Sequence, residues 1–196
     1  MPDEPELVHA ESRGDWRRWL EEHHGRGRGV WLVTWKPHTG RPRVTYEEAV
    51  EEALCFGWVD SRAGTLDDER HSQWFAPRKQ GSNWARSNKI RVERLEHDGL
   101  MTDAGRAAIE AAKADGSWAR LDDVENLIVP DDLASTFDEH PGAREHWDTF
   151  PRSARRAILE WIVNAKRDET RRKRLRETAE AAARGERANE RPRERA

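Results

Sequence analysis

Residues Tyr46–Ser61 read YEEAVEEALCFGWVDS, and within them the hydrophobic period changes from that of a helix to that of a strand. Thr45 is a good N-cap and Glu48 stands three residues after it, which is the pattern of a capping box. Ala49, Val50, Ala53 and Leu54 then form an apolar stripe at helical spacing. Gly57 suits the left-handed position that stops a helix, so Cys55 and Phe56 fall in its last turn. From Trp58 to Arg62 the period becomes two, with Trp58, Asp60 and Arg62 on one face and Val59 and Ser61 on the other. Arg70–Ala76, RHSQWFA, is a second strand after a polar loop. The pair predicts a hairpin, closed by Pro77.

Working upstream, Val30–Trp35, VWLVTW, is almost wholly apolar and predicts a strand buried on both faces. Ser12–His24 predicts a helix with Trp16, Trp19 and Leu20 on one side, and Glu6–His9 a short strand. Downstream, Gly81–Gly99 predicts a helix capped by Ser82 or Asn83, with Trp84, Asn88, Val92 and Leu95 on one face. An asparagine in that stripe must find partners if buried. Thr102 opens an alanine-rich helix that closes near Gly116. Residues 119–129 read as a connector. Helical patterns then follow at 131–140, 142–150, 153–167 and 168–184. The expected fold is α+β: a small antiparallel sheet with flanking helices, followed by an all-helical C-terminal module. The expected domains are 1–119, 120–185 and a disordered tail, 186–196.

Charged residues make up 37% of the 196-residue chain, and Leu, Ile, Val and Phe only roughly 16%, a range associated with disorder. The net charge of −3 and ten tryptophans oppose that reading, since each buried indole removes on the order of 200 Å² from water. The core is therefore expected to rest on Trp and Ala. One cysteine precludes an internal disulfide. The N-terminus has no export-signal pattern, and no run approaches the ~18 apolar residues of a membrane span. The cytoplasm is the expected location, without membrane insertion.

The candidate ligand-binding residues are Trp58, Asp60, Arg62, Arg78, Trp84, Asn88 and Lys89, with Cys55 beside them. A carboxylate among arginines stays ionised, which makes Asp60 a ligand anchor, and the tryptophans supply a stacking wall. Such a corner suits a small polar or cationic ligand. The structural alternative is an Asp60–Arg78 ion pair stitching hairpin to helix, with Asn88 bonding backbone. Cys55 sits at the wrong end of a helix to become a reactive thiolate and reads as a small buried hydrophobe. The eight histidines show no metal-ligand spacing, and no phosphate-binding glycine motif is present. No metal and no cofactor are expected. The run AKRDETRRKRLRE, Ala165–Glu177, reads as a solvated helix face with i,i+4 pairs.

YEEAVEEALCFGWVDS, WFAPRK (Trp74–Lys79), SNWARSNKIRVERL (Ser82–Leu95), GLMTDAG (Gly99–Gly105) and AKADGSW (Ala112–Trp118) together resemble the YdeI/OmpD-associated, or bacteriocin-protection, family. VPDDL (Val129–Leu133) and SARRAILEWIVNAKRDETRRKRL (Ser153–Leu175) look like its helical C-terminal module, so the resemblance covers roughly residues 5–185. It implies a bacterial or archaeal protein linked to tolerance of cationic antimicrobial peptides and bacteriocins, and by name to a porin. It carries over no catalytic residues. The expected function is a non-enzymatic stress-tolerance protein binding a small ligand, a peptide or a protein partner. For a cationic peptide, Glu47, Glu48, Glu51 and Glu52 offer an acidic helix face. Two alternatives stand beside it. One is a small-molecule enzyme using Asp60, Cys55 and Arg78. The other is a nucleic-acid or anionic-surface binder using Arg155, Arg156, Arg171, Arg172 and Arg174.

Overall fold

The computed structural model describes residues 6–190, and the chain forms two compact units, Met1–Trp118 and Ala119–Ala196. In the first unit β1 (Leu7–His9) is followed by α1 (Arg13–His23), β2 (Val30–Trp35), α2 (Tyr46–Cys55), β3 (Trp58–Thr65), β4 (Arg70–Pro77), α3 (Arg86–His97) and α4 (Asp103–Ala114). The strands form one sheet in the order β1-β2-β4-β3. β4 pairs antiparallel with both β2 and β3. β1 pairs parallel with β2, so the sheet is mixed at that edge.

The capping box of α2 forms as its sequence requires: the Thr45 hydroxyl accepts from the Glu48 amide and the Glu48 carboxylate from the Thr45 amide. Gly57 ends the helix at φ 74°. The core beneath the sheet holds Trp16, Leu20, Val30, Leu32, Leu54, Trp58, Phe75, Trp84 and Leu95. Two of the buried indoles satisfy their N–H on backbone, Trp16 on the Ala49 carbonyl at 3.0 Å and Trp58 on the His24 carbonyl at 3.0 Å. These bonds tie α1 to α2 and fix β3 below the end of α1. Ala10, Ala49, Ala53 and Ala112 are also buried, but Leu and Val fill as much of this core as Trp and Ala do, so the expectation of a core resting on Trp and Ala holds only in part.

Gly105 sets how closely α4 approaches α2. A Cβ on it would stand 2.3 Å from the Cys55 carbonyl oxygen, so only glycine allows this contact. The Thr102 hydroxyl and amide both donate to that same carbonyl, at 2.6 and 3.2 Å.

Two expectations need correction. Helix α3 begins at Arg86, with Ala85 as its N-cap and no side-chain cap. Residues 81–85 form a loop that turns at Gly81, φ 71°, in which Trp84 is an inward anchor, 1% exposed, and the Asn83 carbonyl accepts from the Arg78 side chain. The two-residue period of β3 also breaks. Asp60 pairs with Phe75 but Ala63 with Gln73, a bulge that adds one residue on β3. Arg62 therefore leaves the face of Trp58 and Asp60 and stacks its guanidinium 5.5 and 5.4 Å from the rings of Trp31 and Trp74.

The second unit is all helical: α5 (Asp122–Glu125), α6 (Asp131–Asp138), α7 (Ala143–Thr149), α8 (Arg152–Val163) and α9 (Asp168–Ala183). Its own core gathers Leu133, Phe137, Trp147, Ile158, Ile162 and Leu175. The stretch read as a connector contains the short α5. Of the expected tail, residues 191–196 lie outside the described residues. No helix among the described residues is long and apolar enough to cross a membrane.

Candidate functional site

Pro77 removes the next ladder donor at the end of β4, and Arg78 follows it at once. The Arg78 amide donates to the Gly57 carbonyl at 2.9 Å, which pins this residue to the helix stop of α2. The loop after it turns at Gly81, φ 71°. Trp84 then enters the core, packing against Trp118 with ring centroids 4.9 Å apart. On the other side α4 ends and the chain turns through Gly116, φ 77°. Asp115 fastens both pieces: its carboxylate accepts from the Gly81 amide at 2.9 Å and from the Ser117 amide at 2.8 Å.

Between these segments lies a cavity of about 310 Å³. Its walls are Arg78, Lys79, Gln80, Gly81, Ser82 and Trp84 from the β4–α3 loop, and Ala108, Ala111, Ala112, Asp115 and Ser117 from α4 and its turn. The volume is at the small end of the range for ligand pockets. The Arg78 guanidinium stacks on the Trp84 ring at 3.8 Å. Its Nη1 donates to the Asn83 carbonyl at 2.9 Å and lies 3.5 Å from the Ser82 hydroxyl. Its Nε and Nη2 are buried and find no partner among the described residues. The same is true of Trp84 Nε1 and Ser117 Oγ, in side chains that are each 1% exposed. Burial pushes the Arg78 pKa down to about 10, opposed by the negative charge of Asp60 at a distance.

Buried polar atoms are nearly always paired, and those that are not call for an explanation. Here four of them belong to three side chains around one cavity. An unpaired guanidinium edge, an indole N–H and a hydroxyl form a set rich in donors. The cavity lining contains no histidine.

The residues singled out in sequence are distributed as follows. Arg78 and Trp84 meet in the cavity. Lys89 stands behind it, its Nζ 5.2 Å from the Trp118 ring. Asn88 is half-buried on α3, where its Oδ1 accepts from Arg91 at 3.0 Å. Trp58 is buried in the sheet core. Asp60 accepts from the Tyr46 hydroxyl at 2.9 Å and from Gln73 at 3.3 Å, so its contacts are with these two rather than with Arg78. Arg62 lies on the other side of the sheet, across the bulge. Cys55 is buried, and burial pushes its thiol up to about 11. Ser117 and Asp115 were not anticipated. They lie nearly forty residues from Arg78, in a turn whose sequence, DGSW, reads only as a helix stop.

The acidic face expected on α2 is not a free surface. Glu52 is 2% exposed and pairs with Arg13 at 2.5 Å and Arg17 at 2.7 Å. Glu51 pairs with Arg13 and Arg94, Glu47 with Arg91, and Glu48 serves the cap. Part of the basic C-terminal set is also engaged: Arg156 pairs with Glu125 and Glu160, Arg171 forms a two-bonded pair with Asp132, and Arg174 lies over Trp161, while Arg172 is exposed and Arg155 Nε is buried without a partner among the described residues. No group of three or more His, Cys, Asp or Glu side chains placed to hold a metal ion occurs among the described residues.

Comparison with known families gives two matches. A model described as a domain of unknown function (DUF8412) matches residues 8–108. One described as bacteriocin-protection, YdeI or OmpD-associated matches residues 126–185. The bacteriocin-protection match thus covers the C-terminal blocks of the resemblance alone; the N-terminal blocks fall in the different DUF8412 match, apart from Ala112–Trp118, which lies in neither. No curated protein and no solved structure matches the chain.

Proposed function

The chain belongs to the DUF8412 family and carries a bacteriocin-protection, YdeI or OmpD-associated segment, and from that premise we propose that it is a non-enzymatic, cytoplasmic stress-tolerance protein that binds a small ligand. The proposed site is the cavity of Arg78, Trp84 and Ser117. The observation that supports it is the group of buried donors without partners around one cavity, an arrangement that costs stability and is typical of sites rather than of cores. The lack of a histidine in the lining, and a thiol buried elsewhere, favour binding over catalysis. The occupied glutamates of α2 favour a small ligand over a cationic peptide. The single cysteine, buried and unpaired, accords with a reducing compartment.

Ala111 lies exposed on α4 at the cavity wall, so Ala111→Phe can block the cavity without crowding the core. The test is a deletion strain complemented with the wild-type gene or with this variant, challenged with a cationic antimicrobial peptide. Wild type should restore tolerance and the blocked variant should not. Unchanged sensitivity in the deletion strain removes the tolerance role. Full rescue by the blocked variant removes the cavity from it.

A further inference from the structure

We infer that the cavity takes a small organic acid, its carboxylate held side-on by Arg78. This rests on the cavity reading of the previous section and adds the chemistry of the ligand. The guanidinium has three edges, and the protein uses only the one at Nη1, which is tied to the Asn83 carbonyl. The two nitrogens left over are Nε and Nη2. They carry parallel N–H bonds along one side of the planar group, the edge that matches the two oxygens of a carboxylate. Stacking on Trp84 at 3.8 Å holds that plane still; the edge itself is closed to solvent, so an entering carboxylate displaces the wall packed against it.

Further features point the same way. Trp84 Nε1 can only donate and Ser117 Oγ can donate, so the unpartnered groups ask for an acceptor rather than a donor. No carboxylate among the described residues pairs with Arg78, so its charge is uncompensated at contact distance. Asp115 is the acidic group in the lining, and it accepts from the amides of Gly81 and Ser117. On the α4 side the wall is the methyl groups of Ala108, Ala111 and Ala112, facing Gln80, Gly81 and Ser82 of the loop, and these methyls offer a surface for a short apolar body. Lys79 at the mouth adds positive charge on the path of an entering anion.

The experiment titrates the full wild-type chain with acetate, propionate and benzoate, with the neutral amides of the same acids, and with inorganic phosphate, read by calorimetry and by indole fluorescence. At least one acid should bind about ten-fold or more tightly than its amide, since only the acid makes the charge-assisted pair. Arg78→Lys keeps the charge but lacks the two-donor edge, and should lose most of that preference. The comparison of acid with amide uses wild type alone and so stands even if the variant does not fold. Equal binding of acid and amide, or binding of phosphate without the acids, overturns the carboxylate assignment. In either case, loss of the signal in Ala111→Phe leaves the cavity as the site. Acid binding that persists undiminished in Ala111→Phe overturns the cavity reading itself. No binding by any acid at millimolar concentration also overturns the inference.

Discussion

Replacing Arg78 by methionine should make the protein more stable. The side chain is largely buried, and its pKa has fallen from an ordinary arginine value to about 10. At ~1.4 kcal/mol per pH unit, keeping that charge in place near neutral pH costs on the order of 3 kcal/mol. Methionine removes the cost and keeps much of the packing volume. It also loses the bond from Nη1 to the Asn83 carbonyl and the stacking on Trp84, together about 2 kcal/mol. The net expectation is a gain of about 1 kcal/mol, read by urea unfolding, or a rise of about 2–4 °C in melting temperature. The sign has a pH signature. The folded-state pKa lies below the unfolded one, so the unfolded chain binds the extra proton and the cost is complete below about pH 10. It is relieved as pH rises further, so the advantage of the variant should shrink above pH 10. A loss of more than ~2 kcal/mol in Arg78→Met would refute the reasoning, because it would make the guanidinium a structural clip.

Glu52→Gln should be costly, since this carboxylate is 2% exposed and holds both Arg13 and Arg17. Breaking such a pair typically loses about 3–5 kcal/mol, and a loss of less than ~1 kcal/mol in urea unfolding would contradict the account of α1 docking on α2. The chain has one tyrosine, so its ionisation can be followed by absorbance without overlap from a second phenol. Tyr46 should titrate above an ordinary phenol, raised by partial desolvation of its hydroxyl and by its bond to Asp60; with the residue 55% exposed the bond is the firmer cause, and Asp60→Asn should bring the titration part of the way back. An unchanged titration would mean that the Tyr46–Asp60 bond does not form in solution.

The α2–β3–β4 hairpin arrangement is legible in the sequence because each part obeys a local rule. Thr45 and Glu48 sit at capping-box spacing, Gly57 accepts the left-handed stop, and Pro77 ends a strand. These depend on a handful of neighbouring residues and leave little for the tertiary structure to alter. The same holds for the helical run after Pro130. Where a tertiary contact competes with a local rule, the local rule yields. Ser82 and Asn83 are good helix caps, yet the loop they stand in is held by Arg78, whose side chain bonds the Asn83 carbonyl, and α3 starts at Arg86. The period of two along β3 is a good rule for a flat strand, and the bulge after Asp60 breaks it and carries Arg62 across the sheet.

The candidate site divides along the same line. Composition and spacing by themselves determined an α+β unit with a tryptophan-rich core, a helical unit after it, and a cluster of charged and aromatic residues from Trp58 to Lys89. They could not say which of those residues meet. Whether Arg78 pairs with Asp60 depends on where each side chain leaves its strand, and the sheet directs Asp60 to Tyr46 and Gln73 instead. Only the tertiary structure brought the turn after α4 beneath the β4–α3 loop. It did so because Gly105 lets α4 sit against the end of α2 and Asp115 grips the loop at Gly81. Ser117 thereby reaches the cavity of Arg78, a juxtaposition that no local pattern encodes.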